Sequence, residues 1–210
     1  MMVHNGLLCI LLSTAWCCNA QEERPVLTVS KAKSSPVIDG TIHEEEWKFA
    51  TVTTGFSDQS GALTKDDTKV YVTYDDIGLH IAFTSTVAGR PKGKVTKRDE
   101  VKLFSEDVVE VRLNPDPEHP ENYFLFAGNC MGTVYDSKRG DVSWNGNWTF
   151  KNKVEDSGET VGGVETCRRS LQSAPPRVTY LDLKVHHFGR GFFSSFSGWK
   201  QEVDWRRREA

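Results

Sequence analysis

Val70-Tyr71-Val72-Thr73-Tyr74-Asp75-Asp76-Ile77-Gly78-Leu79-His80-Ile81-Ala82-Phe83 decides the fold class. The first five residues are β-branched or aromatic and nearly alternate. Asp75-Asp76-Ile77-Gly78 then punctuates as a turn, and Leu79, Ile81 and Phe83 fall on one face. Together they predict a β-hairpin. Val26-Leu27-Thr28-Val29 is a short strand candidate upstream. Downstream come Val108 to Leu113, stopped by Asn114-Pro115-Asp116-Pro117, and Tyr123 to Ala127, closed by Gly128-Asn129. Thr133-Val134-Tyr135 and Trp148 to Lys151 complete the set. Many short strands separated by Gly, Pro and Asp turns predict an all-β, antiparallel β-sandwich. The single helical signal lies near Thr41–Ala50. Thr41 is placed to cap a first turn and Glu44, three residues on, to complete a capping box. Trp47 is expected in the core beside it.

The chain has 210 residues and a formal charge of −3, which argues against a basic nucleic-acid binder. Gly6 to Trp16 is a short apolar run without charge, followed by Cys18-Asn19-Ala20 and polar Gln21. This predicts a secretory signal over residues 1–20, a mature chain from Gln21, and a secreted, extracellular (in a bacterium, periplasmic) product. No later stretch is apolar enough to be a membrane span, so no membrane partner is expected after signal removal. Cys9, Cys17 and Cys18 leave with the signal. Cys130 and Cys167 remain, as a disulfide pair or as two free thiols. Asn147-Trp148-Thr149 is a glycosylation sequon in a eukaryotic secretory route. A glycan there is expected to crowd any ligand site at Trp148.

The ordered set of motifs resembles carbohydrate-binding module family 9 (CBM9-like) domains. It comprises Pro36-Val37-Ile38-Asp39-Gly40, Glu46-Trp47-Lys48-Phe49-Ala50, the hairpin above, Arg98-Asp99 and Glu106-Asp107-Val108-Val109-Glu110-Val111. Tyr123 to Asn129, Gly132 to Asp136 and Trp144-Asn145 follow in order. The match runs from about Val26 to Gly163. The resemblance implies an immunoglobulin-like or jelly-roll-like sandwich of the DOMON-like superfamily. It implies a secreted, non-catalytic domain that binds oligo- or polysaccharide, with a role in carbohydrate catabolism beside a glycan-degrading enzyme.

Sugar binding needs aromatic faces for the ring and fixed polar groups for its hydroxyls. Phe104 and Trp144 are the candidate platforms, Trp144 with Trp148 flanking an Asn-Gly-Asn turn. Asp99, Glu110, Arg112 and Asn129 are the candidate hydroxyl partners. Asp107 and Glu110 stand an odd number apart, so a strand sends them to opposite faces. No cofactor is required, although Asp75 and Asp76 could help hold a structural Ca²⁺, an ion the resemblance implies. Two other classes compete. A DOMON-type haem electron-transfer domain needs an axial pair such as Met131 with His80, His119, His186 or His187. A hydrolase could use paired carboxylates, but no nucleophile elbow or metal triad accompanies them.

After Gly163 the family pattern stops. Residues 21–163 carry 17 basic and 24 acidic groups, whereas residues 164–210 carry 9 and 5. The resemblance implies a Gly-Gly-Trp strand where Gly162-Gly163-Val164-Glu165 stands. A Val codon GTG followed by a Glu codon GAG reads TGG, Trp, one base later. Two readings of residues 164–210 stay open: a divergent tail and a shifted reading frame. Either predicts an incomplete domain over 21–163 with a poorly ordered tail.

Overall fold

The computed structural model describes residues 27–56, 62–63, 67–86, 90–116, 118–155, 159–167, 177–187 and 192–204, the last three stretches by their backbone. The expected leader and the Gln21 start lie outside the described residues.

Among the described residues two sheets face each other. The first has the strand order β1 (Ser30–Lys31), β3 (Thr68–Tyr74), β4 (Gly78–Thr86), β9 (Glu159–Cys167), β8 (Trp148–Val154), with β2 (Thr51–Thr53) also paired to β3. The second runs β11 (Phe192–Asp204), β10 (Arg177–His187), β5 (Val108–Asn114), β6 (Phe124–Asn129), β7 (Val134–Lys138). Every pairing is antiparallel except β1 with β3. The all-β sandwich expected from the alternation is the observed fold.

The β3–β4 hairpin forms in the expected register, Tyr74 opposite Leu79 and Thr68 opposite Ser85. Asp75 builds its turn. One carboxylate oxygen accepts from Ile77 N–H (2.7 Å) and Gly78 N–H (3.0 Å), the other from Ser35 Oγ (2.5 Å). Buried His80 lies 2.9 Å from that second oxygen. Burial alone would raise the Asp75 pKa. The bonds from Ser35, Gly78 and Ile77, with His80 beside them, outweigh it and hold the pKa below the ordinary value. Asp76 faces Lys31 Nζ at 2.9 Å. These acids serve the turn, and among the described residues no group of three His, Cys, Asp or Glu is placed to hold a metal.

Alternation sorts side chains between two clusters. Val70, Val72, Leu79, Ile81 and Phe83 meet Val111, Leu113, Phe124 and Phe126 between the sheets, with Phe150. Leu103, Val108, Leu125, Ala127 and Tyr135 form a second cluster on the other, outer face of the five-stranded sheet. Residues 92–105, which include the 3₁₀ turn η1 (Val101–Ser105), cover part of that face. Close packing between the sheets requires glycines. A Cβ on Gly162 would stand 2.5 Å from Phe83 Cζ, and one on Gly128 would collide with the Phe150 ring.

Two expectations need correction. The first strand is Ser30–Lys31, just past Val26–Val29, because Leu27 and Val29 serve the core as extended chain. The helix is one turn, α1 (Glu44–Trp47), begun by His43 without a side-chain cap, so the Thr41/Glu44 box does not form. Asp39 organises the entry instead, accepting from Thr41 N–H at 2.8 Å and lying 3.2 Å from His43 Nε2. Trp47 is buried and meets Tyr71 edge-on, their ring centroids 6.4 Å apart.

β9 runs through Gly163 to Cys167, and β10 and β11 extend the five-stranded sheet along β5. Cys130 is a free cysteine. Its carbonyl accepts from Asn152 Nδ2, and Asn152 pairs with Gly162. Cys167 lies five residues further along β9, roughly 16 Å at strand rise. Disulfide partners have Cα atoms within about 7 Å.

Candidate functional site

The outer face of the five-stranded sheet carries three of the six candidate binding residues. Glu110 and Arg112 project there from β5, on the parity of Val108. Their cross-strand neighbours are Ala127 and Leu125 on β6 and, by backbone register, Lys184 and Asp182 on β10. Glu110 is buried and Arg112 about one-third exposed, with Arg112 Nη2 donating to Glu110 Oε1 at 3.3 Å. The Arg112 guanidinium lies 4.7 Å from the Tyr123 ring centroid. Cation–π attraction and the ion pair together hold its plane. Phe104, at the end of η1, is half-buried and meets Tyr135 edge-on, with centroids 4.8 Å apart. Tyr135 stands opposite Ala127, which stands opposite Glu110. Two strand steps, roughly 10 Å, therefore separate the aromatic pair from the Glu110–Arg112 pair. Burial pushes the Tyr135 hydroxyl pKa up, keeping it protonated.

Trp144 lies on the other side of the same sheet. It packs on Phe124 (5.2 Å) and Phe126 (6.0 Å), whose rings point into the sandwich core. Phe104 and Trp144 therefore do not form one platform. Trp148 also turns inward, onto Phe126 at 5.1 Å and Phe150 at 6.4 Å.

Asn129 and Asp99 are committed to holding chain segments. Asn129, 1% exposed, donates from Nδ2 to Val95 O and Glu106 Oε2, both at 2.9 Å. Its Oδ1 accepts from Met131 N–H (3.1 Å) and Thr133 N–H (2.9 Å). Glu106 Oε1 takes the Lys94 and Val95 N–H groups at 2.6 and 2.9 Å, and Asp107 takes Lys92 N–H at 2.5 Å. The acidic pair Glu106-Asp107 thus straps residues 92–95 across the sheet end. Cys130 sits by this strap. Burial, with Asp107 and Glu106 adding to it, raises its thiol pKa and keeps it from the reactive thiolate.

Asp99 adopts left-handed backbone (φ 60°) and accepts from Asp136 N–H at 3.1 Å. Arg98 reaches Asn145 Oδ1 (3.1 Å), Asp99 and the fully buried Asp136. Asp136 also accepts from Gly146 N–H at 2.5 Å. Burial raises the Asp136 pKa, against the lowering pull of Gly146 N–H and Arg98. This hub ties the 92–105 segment to the Trp144 loop. Sequence reasoning missed Tyr123, Tyr135 and Asp136. Tyr123 shares the parity of Leu125 and Ala127, the signal available in the sequence, whereas Tyr135 and Asp136 are placed by the β6–β7 register.

The haem ligands are not assembled as an evident pair. His80 is tied to Asp75, and His119 and Met131 sit beyond opposite ends of β6. His186 and His187 are described by backbone alone, at the end of β10 paired to Val108.

Solved structures with this fold are similar to the chain at low identity. A carbohydrate-binding module family 9 from Caldicellulosiruptor kristjanssonii in complex with cellotriose matches at TM-score 0.60 and 16% identity, covering 89% of this chain and 97% of that one. A family 9 module of the same organism in complex with glucose matches at 0.56 and 17%, covering 78% and 81%. A putative carbohydrate-binding protein from Bacteroides uniformis ATCC 8492 matches at 0.54 and 13%, covering 82% and 88%. At these identities the likeness is one of fold. No protein-family model and no curated protein matches the chain. The chain therefore has a carbohydrate-binding-module-like fold. The 89% match reaches strands beyond Gly163, since residues 1–163 are fewer than four-fifths of the 210.

Proposed function

We propose that this chain is a non-catalytic carbohydrate-binding domain, exported from the cell, that works beside a glycan-degrading enzyme. Its ligand surface is the outer face of the five-stranded sheet along β5. The observation that carries this reading is the Glu110–Arg112 pair on Tyr123, about two strand steps from the Phe104–Tyr135 pair. The part-exposed guanidinium supplies donors for neighbouring ring hydroxyls, and the buried Glu110 carboxylate holds it in place. Phe104 offers a half-exposed ring for the apolar face of a sugar. Both charged groups sit on a strand, so little ordering entropy is lost on binding. Asp99 and Asn129 hold the strap that carries Phe104, and Trp144 seals the core edge.

Isothermal titration with cello-, xylo- and manno-oligosaccharides tests this reading. Arg112→Met keeps the aliphatic stem over Tyr123 and removes the hydrogen-bonding head. It should weaken binding at least tenfold in a protein that still folds, with a lowered melting temperature because buried Glu110 loses its ion-pair partner, and Phe104→Ala should weaken binding severalfold. Full affinity in both variants moves the site elsewhere.

A further inference from the structure

We infer that Asn147 is an N-glycosylation site whose glycan projects from the outward face of the six-stranded sheet's β8 edge, clear of the Trp148 contacts and of the opposite, β5-centred face. Asn147-Trp148-Thr149 is the one Asn-x-Ser/Thr triplet in the sequence. Asn147 and Thr149 are both exposed. The residues between and after them alternate. Trp148 and Phe150 turn into the core, whereas Thr149, Lys151 and Lys153 face outward. The sequon's middle residue is thus anchored while its two functional residues stand on the solvent side. The preceding residues are pinned by Gly146 N–H on Asp136 and by Asn145 on Arg98. The glycan root is therefore fixed close to the sheet, and the crowding of Trp148 expected from sequence does not arise.

β8 ends the strand order of its sheet. Edge strands template unwanted pairing, and charged side chains are one common guard. Lys151 and Lys153 guard the far half of β8, and a glycan at Asn147 would guard the near half. The modification is a transfer from a lipid-pyrophosphate oligosaccharide of the secretory pathway. A bond forms between the sugar C1 and Asn147 Nδ2, and the C1–O bond to the pyrophosphate breaks. The amide loses one proton and the lipid pyrophosphate leaves.

The test is secretion of the full chain from eukaryotic cells, with its own N-terminus and, in parallel, behind an established secretory leader. The expected result is a mass increase removed by peptide N-glycosidase, absent in Asn147→Gln and Thr149→Ala and restored in Thr149→Ser. Intrinsic tryptophan emission should be the same before and after native deglycosylation. Leader-fused protein that is secreted without the added mass overturns the site. A red shift on deglycosylation overturns the outward placement, because it means the glycan was covering tryptophan.

Discussion

Replacing Asn129 separates a structural bracket from a ligand-binding amide. The side chain makes four hydrogen bonds, to Val95 O, Glu106 Oε2, Met131 N–H and Thr133 N–H. At about 1 kcal/mol for each bond, Asn129→Ala should cost about 3–5 kcal/mol. Asn129→Asp should cost more at neutral pH. It places a carboxylate oxygen where Nδ2 now lies 2.9 Å from Glu106 Oε2. Two carboxylates at that distance cannot both ionise cheaply, so the folded-state pKa of the pair rises above the unfolded value of about 4. A raised folded pKa means the penalty is full above it and fades as pH falls toward about 4, where one proton bridges the two groups. Urea unfolding at pH 7 and pH 4.5, followed by tryptophan fluorescence, reads both effects as midpoint shifts at constant slope. A loss under 1 kcal/mol for Asn129→Ala, with oligosaccharide affinity abolished, would show that Asn129 serves the ligand and would refute the bracket.

Trp144→Ala should lower stability by about 3 kcal/mol through lost contacts with Phe124 and Phe126 and leave sugar affinity within twofold, read by thermal melts and titration calorimetry. Gly128→Ala should cost about 1–3 kcal/mol in urea unfolding, because its methyl meets the Phe150 ring. The Asp75 pKa is lowered in the fold, so its contribution is present above about 4 and is lost as pH falls through the folded value. Wild-type stability should therefore drop more steeply between pH 5 and pH 2 than that of Asp75→Asn. Trp47→Ala should cost about 3–5 kcal/mol, measured by thermal denaturation, given its burial against Tyr71.

The hairpin was legible because its information is local. Val70 and Val72 alternate inward, Asp75 supplies the acceptors a tight turn requires, and Leu79, Ile81 and Phe83 repeat at period two. The capping box was misread for a related reason. Thr41 and Glu44 have the right spacing, but Asp39 and His43 lie close enough to organise the entry first. The end of the chain carries less local information. Val164, Glu165 and Thr166 look unlike the expected closing strand, yet they pair with Ile81, His80 and Leu79 on one side and Phe150, Thr149 and Trp148 on the other. Backbone pairing in a central strand accepts many side chains, so a departure from a family's residues does not break the ladder. The two cysteines illustrate the converse limit. Their distance depends on register across β8 and β9, which composition does not encode.

The site was half legible, and the division follows from parity. Glu110 and Arg112 stand two apart on one strand, so their shared face needed only alternation. Phe104 and Trp144 both lie outside strands, and nothing in their spacing says which side of the sheet each reaches. That depends on what holds their segments. Glu106, Asp107 and Asn129 strap residues 92–95 over the outer face and so deliver Phe104 there. Asp136, one step along β7 from Tyr135, points the opposite way, and with Arg98 it fixes the loop that carries Trp144 over the core edge. Neighbouring β7 residues thus anchor the two aromatics on opposite faces. The acidic residues that look in sequence like a reactive cluster are chiefly the groups that set this arrangement. Most of their oxygens are occupied by backbone N–H groups, whereas Arg112 keeps about a third of its side chain exposed beside Glu110.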